Sequence, residues 1–189
     1  MIFSDRVKTE DASVNSVFSI RNSKQAWIEF KNMITSNLLA EDRIICNADV
    51  TSKKRALEVI SELFCNNSNE VLPSHKIFEA LINREKLGST GLGKGIAIPH
   101  ARISEIDEAV AALVKLKTPV DYDAIDSKPV DILFALLVPE HYTDEHLQVL
   151  AELAETLSSE DLCSQIRSES CATPLHQILL NWKTGKQDE

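Results

Sequence analysis

Apolar positions along this chain follow two rhythms. From Lys53 to about Asn66, the residues Ala56, Leu57, Ile60, Leu63 and Phe64 recur three and four apart, the period of an amphipathic helix. Thr51 or Ser52 stands where such a helix is capped. Lys53, Lys54 and Arg55 in its first turn read as a solvated face. Pro73 is suited to open a second helix, with Ile77, Phe78, Leu81 and Ile82 as its buried stripe and an end before Gly88. Ile96–Pro99, residues 109–116 and residues 129–139 are apolar runs that predict strands. The last, PVDILFALLVP, is apolar almost throughout, the pattern of a strand covered on both faces in the middle of a sheet. Pro119 and Asp126–Pro129 mark turns. Thr143, Asp144 and Glu145 open a helix with Leu147, Leu150, Ala151, Ala154 and Leu157 as its stripe, and two shorter helical stretches follow near 159–168 and 172–183. Helices flank strands throughout. The expected fold class is therefore α/β, a mixed central β-sheet with helices on its faces.

The 189 residues suffice for one domain with a real core. Residues 1–32 are polar with mixed charge and read as an N-terminal extension, and residues 33–189 as the folded domain. The alternative is a helical arm over Ser23–Ile34. A net charge of −9 excludes a broad nucleic-acid or anionic-membrane surface, which needs clustered cations. No apolar run approaches the ~20 residues of a membrane span. The first residues lack the apolar stretch of a secretory signal. Cys46, Cys65, Cys163 and Cys171 show neither paired nor zinc-like spacing. They are expected to be reduced, small buried side chains in a cytosolic protein.

The chemistry concentrates at one place. Of five glycines, Gly88, Gly91, Gly93 and Gly95 fall within eight residues. Glycine lets backbone amides approach a ligand, and successive amides can cradle an anion. The spacing Gly88-x-x-x-x-Gly93-Lys94 imitates a phosphate-binding P-loop, but Gly95 stands where the magnesium-binding hydroxyl belongs. A helix also precedes the loop and a strand follows it, the reverse of a P-loop. The glycine loop leads through the short strand to Pro99-His100, just beyond a strand end, where ligand sites of α/β sheets gather. A neutral imidazole there can act as a nucleophile. His146 follows the 129–139 strand and reaches the same sheet edge if the two strands are parallel; otherwise it is a helix-surface histidine. His141 and His146 are five apart, which does not suit a helical zinc site, and His75 and His176 have no supporting residues. No G-x-S-x-G elbow is present.

SKKRALEVISEL (52–63), FEALINREKLGSTGLGKGIAIPHAR (78–102), TPVDYDAIDSKPVDILFALLVP (118–139) and HLQVLAELA (146–154) resemble the enzyme IIA domain of the bacterial phosphotransferase system, mannitol/fructose class (PTS EIIA type 2). Within that class the likeness is greatest to the nitrogen-regulatory enzyme IIA. The resemblance implies the mixed, helix-flanked sheet of that family. It implies that His100 is the phosphoryl acceptor, that His146 is the second active-site histidine and that Arg84 lies beside them. Gly91, Gly93 and Gly95 would donate amides to the phosphoryl oxygens, and no metal or other cofactor is needed. Phospho-HPr, or its nitrogen-branch paralogue NPr, would be the donor. The docking rim would include Leu92 and Ile96. The implied role is a regulatory phosphocarrier working through phosphohistidine. The alternative is a sugar-specific enzyme IIA that passes phosphate to a separate IIB component.

Overall fold

The computed structural model describes residues 38–66, 72–141 and 147–182, apart from the side chains of 147–149 and 152. In chain order the elements are β1 (Ile44–Ala48), α1 (Lys53–Asn66), α2 (Ser74–Lys86), β2 (Gly91–Gly93), β3 (Ile96–Ala97), β4 (His100–Ile103), β5 (Val110–Val120), β6 (Val130–Pro139), α3 (Leu147–Leu157), α4 (Glu160–Ser168) and α5 (Ala172–Asn181). The sheet order is β1-β5-β6-β3-β2, with β4 also pairing β6. β5 and β6 are antiparallel, whereas β1 runs parallel to β5, and β3 and β4 run parallel to β6. The sheet is mixed, and the apolar run 130–139 lies in its middle as the pattern predicts.

The period of two along β5 and β6 divides the interior into two cores. Leu133, Ala135 and Leu137 of β6, with Ala112 and Val114 of β5, face Leu57, Ile60 and Phe64 of α1 and Ile77 and Leu81 of α2. Ile132, Phe134 and Leu136, with Ala111 and Leu113, face Leu153 and Leu157 of α3, Leu162 and Ile166 of α4, and Leu175 and Leu179 of α5. Each such leucine or phenylalanine, fully buried, is worth about 1.5–3 kcal/mol. Helices therefore cover both faces of the sheet.

Capping follows the local sequence. Ser52 Oγ accepts the Arg55 N–H (3.2 Å) at the start of α1, Pro73 precedes α2, and Ser159 Oγ accepts the Leu162 N–H (3.4 Å) at the start of α4. Lys115, inside the apolar run of β5, is buried. Its ammonium donates to the carbonyls of Arg167 (3.0 Å) and Glu169, satisfying acceptors at the end of α4.

Three expectations need correction. Lys53 is not a solvated residue: it lies one turn before Ala56 and Leu57 on the buried stripe and pairs with Glu85 at 2.8 Å. His100 does not lie beyond a strand end but opens β4. The register Ile96↔Ile132, Ala97↔Leu133 and His100↔Leu136 continues unbroken, and the ladder is interrupted at Pro99, which has no N–H to give. Among the cysteines only Cys163 is fully buried; Cys46 and Cys65 are half-buried, and Cys171 is exposed just before α5. The extension 1–32 and the first turn of the helix expected from Thr143 lie outside the described residues.

Candidate functional site

His100 and Arg84 meet between the end of α2 and the first residue of β4. The last turn of α2 carries Arg84, and the parallel pairing of β4 with β6 carries the ring. Arg84 Nε donates to His100 Nε2 at 3.0 Å, and Arg84 Nη1 donates to the Gly88 carbonyl, also at 3.0 Å. On the other side of the ring, His100 Nδ1 is 2.8 Å from the Ile98 carbonyl oxygen. A carbonyl can only accept, so Nδ1 carries the proton and Nε2 keeps its lone pair. The Arg84 N–H pointing at Nε2 requires the same tautomer.

Burial pushes the His100 pKa below the usual histidine value. The Ile98 hydrogen bond opposes the shift, Arg84 adds to it and Glu85 opposes it. The net direction favours a neutral imidazole near neutral pH, the form with a nucleophilic nitrogen. The neighbouring guanidinium can swing from Nε2 onto an anionic group arriving there, offering planar, charge-assisted donors.

A second layer lies behind this pair. Glu85, buried at the end of α2, accepts the Thr90 N–H (2.9 Å) on Oε1 and the Thr90 hydroxyl (2.5 Å) on Oε2. Lys53 Nζ also donates to the Tyr122 carbonyl (3.0 Å) and to Asp123 Oδ2 (3.1 Å), and sits 4.7 Å from the centre of the Tyr122 ring. Burial and the Glu85 charge raise the Tyr122 phenol far above its ordinary range. Ser89 Oγ donates to the same Tyr122 carbonyl at 2.8 Å. Sequence reading missed Glu85 and Lys53, although a signal existed. Glu85 continues the four-residue spacing of the buried Ile77 and Leu81, so a carboxylate falls on an apolar stripe.

The glycines occupy a different place from the expected cradle. β2 and β3 form a hairpin with Gly93 opposite Ile96, so Lys94-Gly95 is its two-residue turn. Lys94 (φ 55°) and Gly95 (φ 83°) have the left-handed backbone that such turns need. The Lys94 amide is already given to Asp126 Oδ2 at 2.9 Å. Arg167 grips Asp131 through Nε (2.7 Å) and Nη2 (2.8 Å) and also donates to the Lys94 carbonyl (2.9 Å). A side chain at Gly91 would strike Ala124, and one at Gly95 would strike Arg167 and Asp131. Gly95 precedes His100 by five residues of extended chain, roughly 15 Å. Gly93 and Gly95 therefore shape an acid-flanked turn away from the imidazole, and Gly91 packs against residue 124. His146 lies outside the described residues. β3, which leads into His100, and β6, which precedes His146 in the chain, are parallel.

Leu87, Leu92 and Ile125 are the exposed large apolar side chains among the described residues, at 84%, 40% and 85%. Leu87 N–H donates to the Arg84 carbonyl and Ile125 N–H to the Gly91 carbonyl, so they border the Arg84–Gly91 segment. Ile96 is 2% exposed and packs in the core, which excludes it from any rim. Among the described residues no helix is long and apolar enough to cross a membrane.

Residues 37–182 match the family described as "Phosphoenolpyruvate-dependent sugar phosphotransferase system, EIIA 2". A nitrogen regulatory protein of Escherichia coli K12 is 47% identical over 139 residues, covering 73% of this chain and 83% of that protein. One from Pseudomonas aeruginosa is 44% identical over 149 residues, covering 79% of this chain and 96% of that protein. The crystal structure of nitrogen regulatory protein IIA-Ntr from Neisseria meningitidis superposes with a TM-score of 0.70 at 42% identity, covering 75% of this chain and 96% of that one. The His100–Arg84 pair lies within the matched span, and the chain belongs to the EIIA type 2 family of the phosphotransferase system, with nitrogen regulatory proteins among its relatives.

Proposed function

We propose that this chain is a histidine phosphocarrier of the nitrogen-regulatory kind, which accepts a phosphoryl group on His100 Nε2 from phospho-HPr or phospho-NPr. The observation that supports it most is the division of labour at the ring: Nδ1 is tied to the Ile98 carbonyl, and Nε2 faces a guanidinium. In transfer, the Nε2 lone pair forms the new N–P bond as the donor imidazole's N–P bond breaks. The donor nitrogen recovers its lone pair, and the Nδ1 proton stays on His100, so no net proton moves. The transition state spreads charge over three phosphoryl oxygens, and positioning with charge compensation does most of the work. Arg84 is placed to supply that charge. His146 is the proposed second imidazole at the phosphoryl group. The exposed Leu87, Leu92 and Ile125 supply an apolar border on which a donor protein could settle.

The test is incubation with enzyme I, phosphoenolpyruvate, magnesium and HPr or NPr. One acid-labile phosphoryl group per chain is expected, and His100→Ala should carry none. Stoichiometric labelling of that variant would overturn the assignment. Discharge of the label to a mannitol- or fructose-type IIB protein would favour the sugar-transport role over the regulatory one.

A further inference from the structure

A continuous path of hydrogen bonds runs from the Lys53–Glu85 pair, whose carboxylate is buried, to the imidazole. Lys53 Nζ meets Glu85 Oε1 at 2.8 Å. Glu85 takes both the amide and the hydroxyl of Thr90. The Thr90 carbonyl accepts the Ile98 N–H at 3.0 Å, and the Ile98 carbonyl faces His100 Nδ1 at 2.8 Å. Arg84, the residue before Glu85, holds the opposite ring nitrogen. One turn of helix thus reaches both nitrogens, directly through Arg84 and at three removes through Glu85.

We propose that Glu85, held by Lys53, is a positioning residue for His100: by clamping Thr90 it fixes the Ile98 carbonyl that keeps the proton on Nδ1 and leaves Nε2 free. This rests on His100 being the phosphoryl acceptor. The architecture gives the pair a reason to exist. A buried carboxylate with a half-buried ammonium carries a desolvation cost that apolar residues would avoid, so the pair contributes little net stability. Here the carboxylate accepts two hydrogen bonds from one loop residue and prevents that residue from rotating. Thr90 is buried, and its neighbour Ser89 is tied to the Tyr122 carbonyl that Lys53 also holds, so the segment between α2 and β2 is fastened from two sides. A group three bonds away can act on the ring only through geometry, and its loss should lower the rate of transfer without weakening donor binding.

The experiment uses the full chain with ¹⁵N-labelled histidine. Variants are Glu85→Met, Glu85→Gln and the double change Lys53→Met with Glu85→Met. The double variant strands no buried charge, so it is expected to fold even if Glu85→Met alone does not. In the wild-type protein the His100 Nδ1 proton should be protected from exchange. In the folded Met variants that exchange should quicken about tenfold, and phosphoryl transfer should slow about tenfold with KM for the phosphodonor unchanged. Glu85→Gln keeps an acceptor for the Thr90 amide and should restore both. Folded Met variants with wild-type ring exchange and wild-type transfer would overturn the proposal. So would a Gln variant as impaired as Met. If wild-type His100 takes no phosphoryl group, the functional reading fails while the ring-exchange measurement still decides the clamp.

Discussion

Arg84 Nε and His100 Nε2 are 3.0 Å apart, with the guanidinium N–H donated to the one ring nitrogen that keeps its lone pair. In the proposed transfer Nε2 is the nucleophile, and the arginine covers it in the resting protein. For transfer it must exchange that contact for the incoming phosphoryl oxygens. Removing it costs one charge-assisted hydrogen bond in the transition state, on the order of 1.5–3 kcal/mol. Arg84→Ala is therefore expected to slow phosphoryl acceptance about ten- to a hundredfold in a rapid-quench assay. Arg84→Lys should recover only part of the loss, because an ammonium lacks the planar fork. Unchanged rates in both variants would remove Arg84 from the chemistry.

The depressed pKa of His100 predicts a pH dependence. Its folded-state pKa lies below the unfolded value near 6.5, chiefly through burial. Acceptance of phosphate from a small phosphoramidate should fall to half its plateau only at a pH below 6.5. In the folding equilibrium the unfolded chain takes up this proton first. The stability contributed by neutral His100 is thus present above the unfolded pKa and is lost as pH falls from there through the lower folded pKa. A midpoint at or above 6.5, followed through the ring resonances of His100, would contradict this.

The apolar border predicts a separation of docking from chemistry. Leu92→Asp or Ile125→Asp should slow transfer from the protein donor several-fold and leave the melting temperature nearly unchanged, since both side chains are exposed. Transfer from the small phosphoramidate should be much less affected. Equal slowing by both routes would show that these residues shape the site itself.

At Gly95 the expected effect is on stability. Its φ of 83° disfavours any side chain, and a Cβ would lie 2.6 Å from Arg167 Nη2 and 2.7 Å from Asp131 Oδ1. Gly95→Ala should cost about 1–2 kcal/mol from the backbone alone. That lowers Tm by at least about 3 °C. Phosphoryl acceptance, measured well below that temperature, should be near wild type. A rate loss in the still-folded variant would return the glycine to the phosphoryl site.

We also propose residue 33 as the start of the folded unit. A chain beginning at Met33 should melt and accept phosphate like the full-length protein. A fall of many degrees in Tm would make residues 1–32 an integral arm.

Much of this architecture is written in local pattern. The helical spacing over 53–66 and 74–86 and the apolar run 130–139 each gave an element with nearly its observed bounds. His100 and Arg84 stood out because a rare glycine cluster and a distinctive motif surround them. What stayed hidden depends on partners distant in sequence. β1 is five residues long and gains its identity from pairing with β5, so its own pattern carries little signal. Lys53 reads locally as part of a solvated face, and nothing near Lys115 in the sequence marks its partners. Their partners lie 32 residues away at Glu85 and more than 50 away at the carbonyls ending α4. Gly93 and Gly95 belong to a hairpin turn, which spacing alone does not distinguish from an anion cradle.

The mixed pairing of the sheet also bears on the order in which the chain can fold. β5 and β6 are neighbours in sequence, so their antiparallel pairing closes a short loop at small entropic cost. The parallel contacts are more expensive: joining Ile44 to Leu113 encloses about seventy residues of chain. His100 shares this cost in part, since β4 docks parallel to β6 as well as packing on α2, and joining His100 to Leu136 encloses about thirty-five residues. The ring takes its final place on the sheet once β4 has docked, although Arg84 and the Ile98 carbonyl are near it in sequence. If the proposed function holds, molecules that have not yet docked β4 would be silent in phosphoryl exchange.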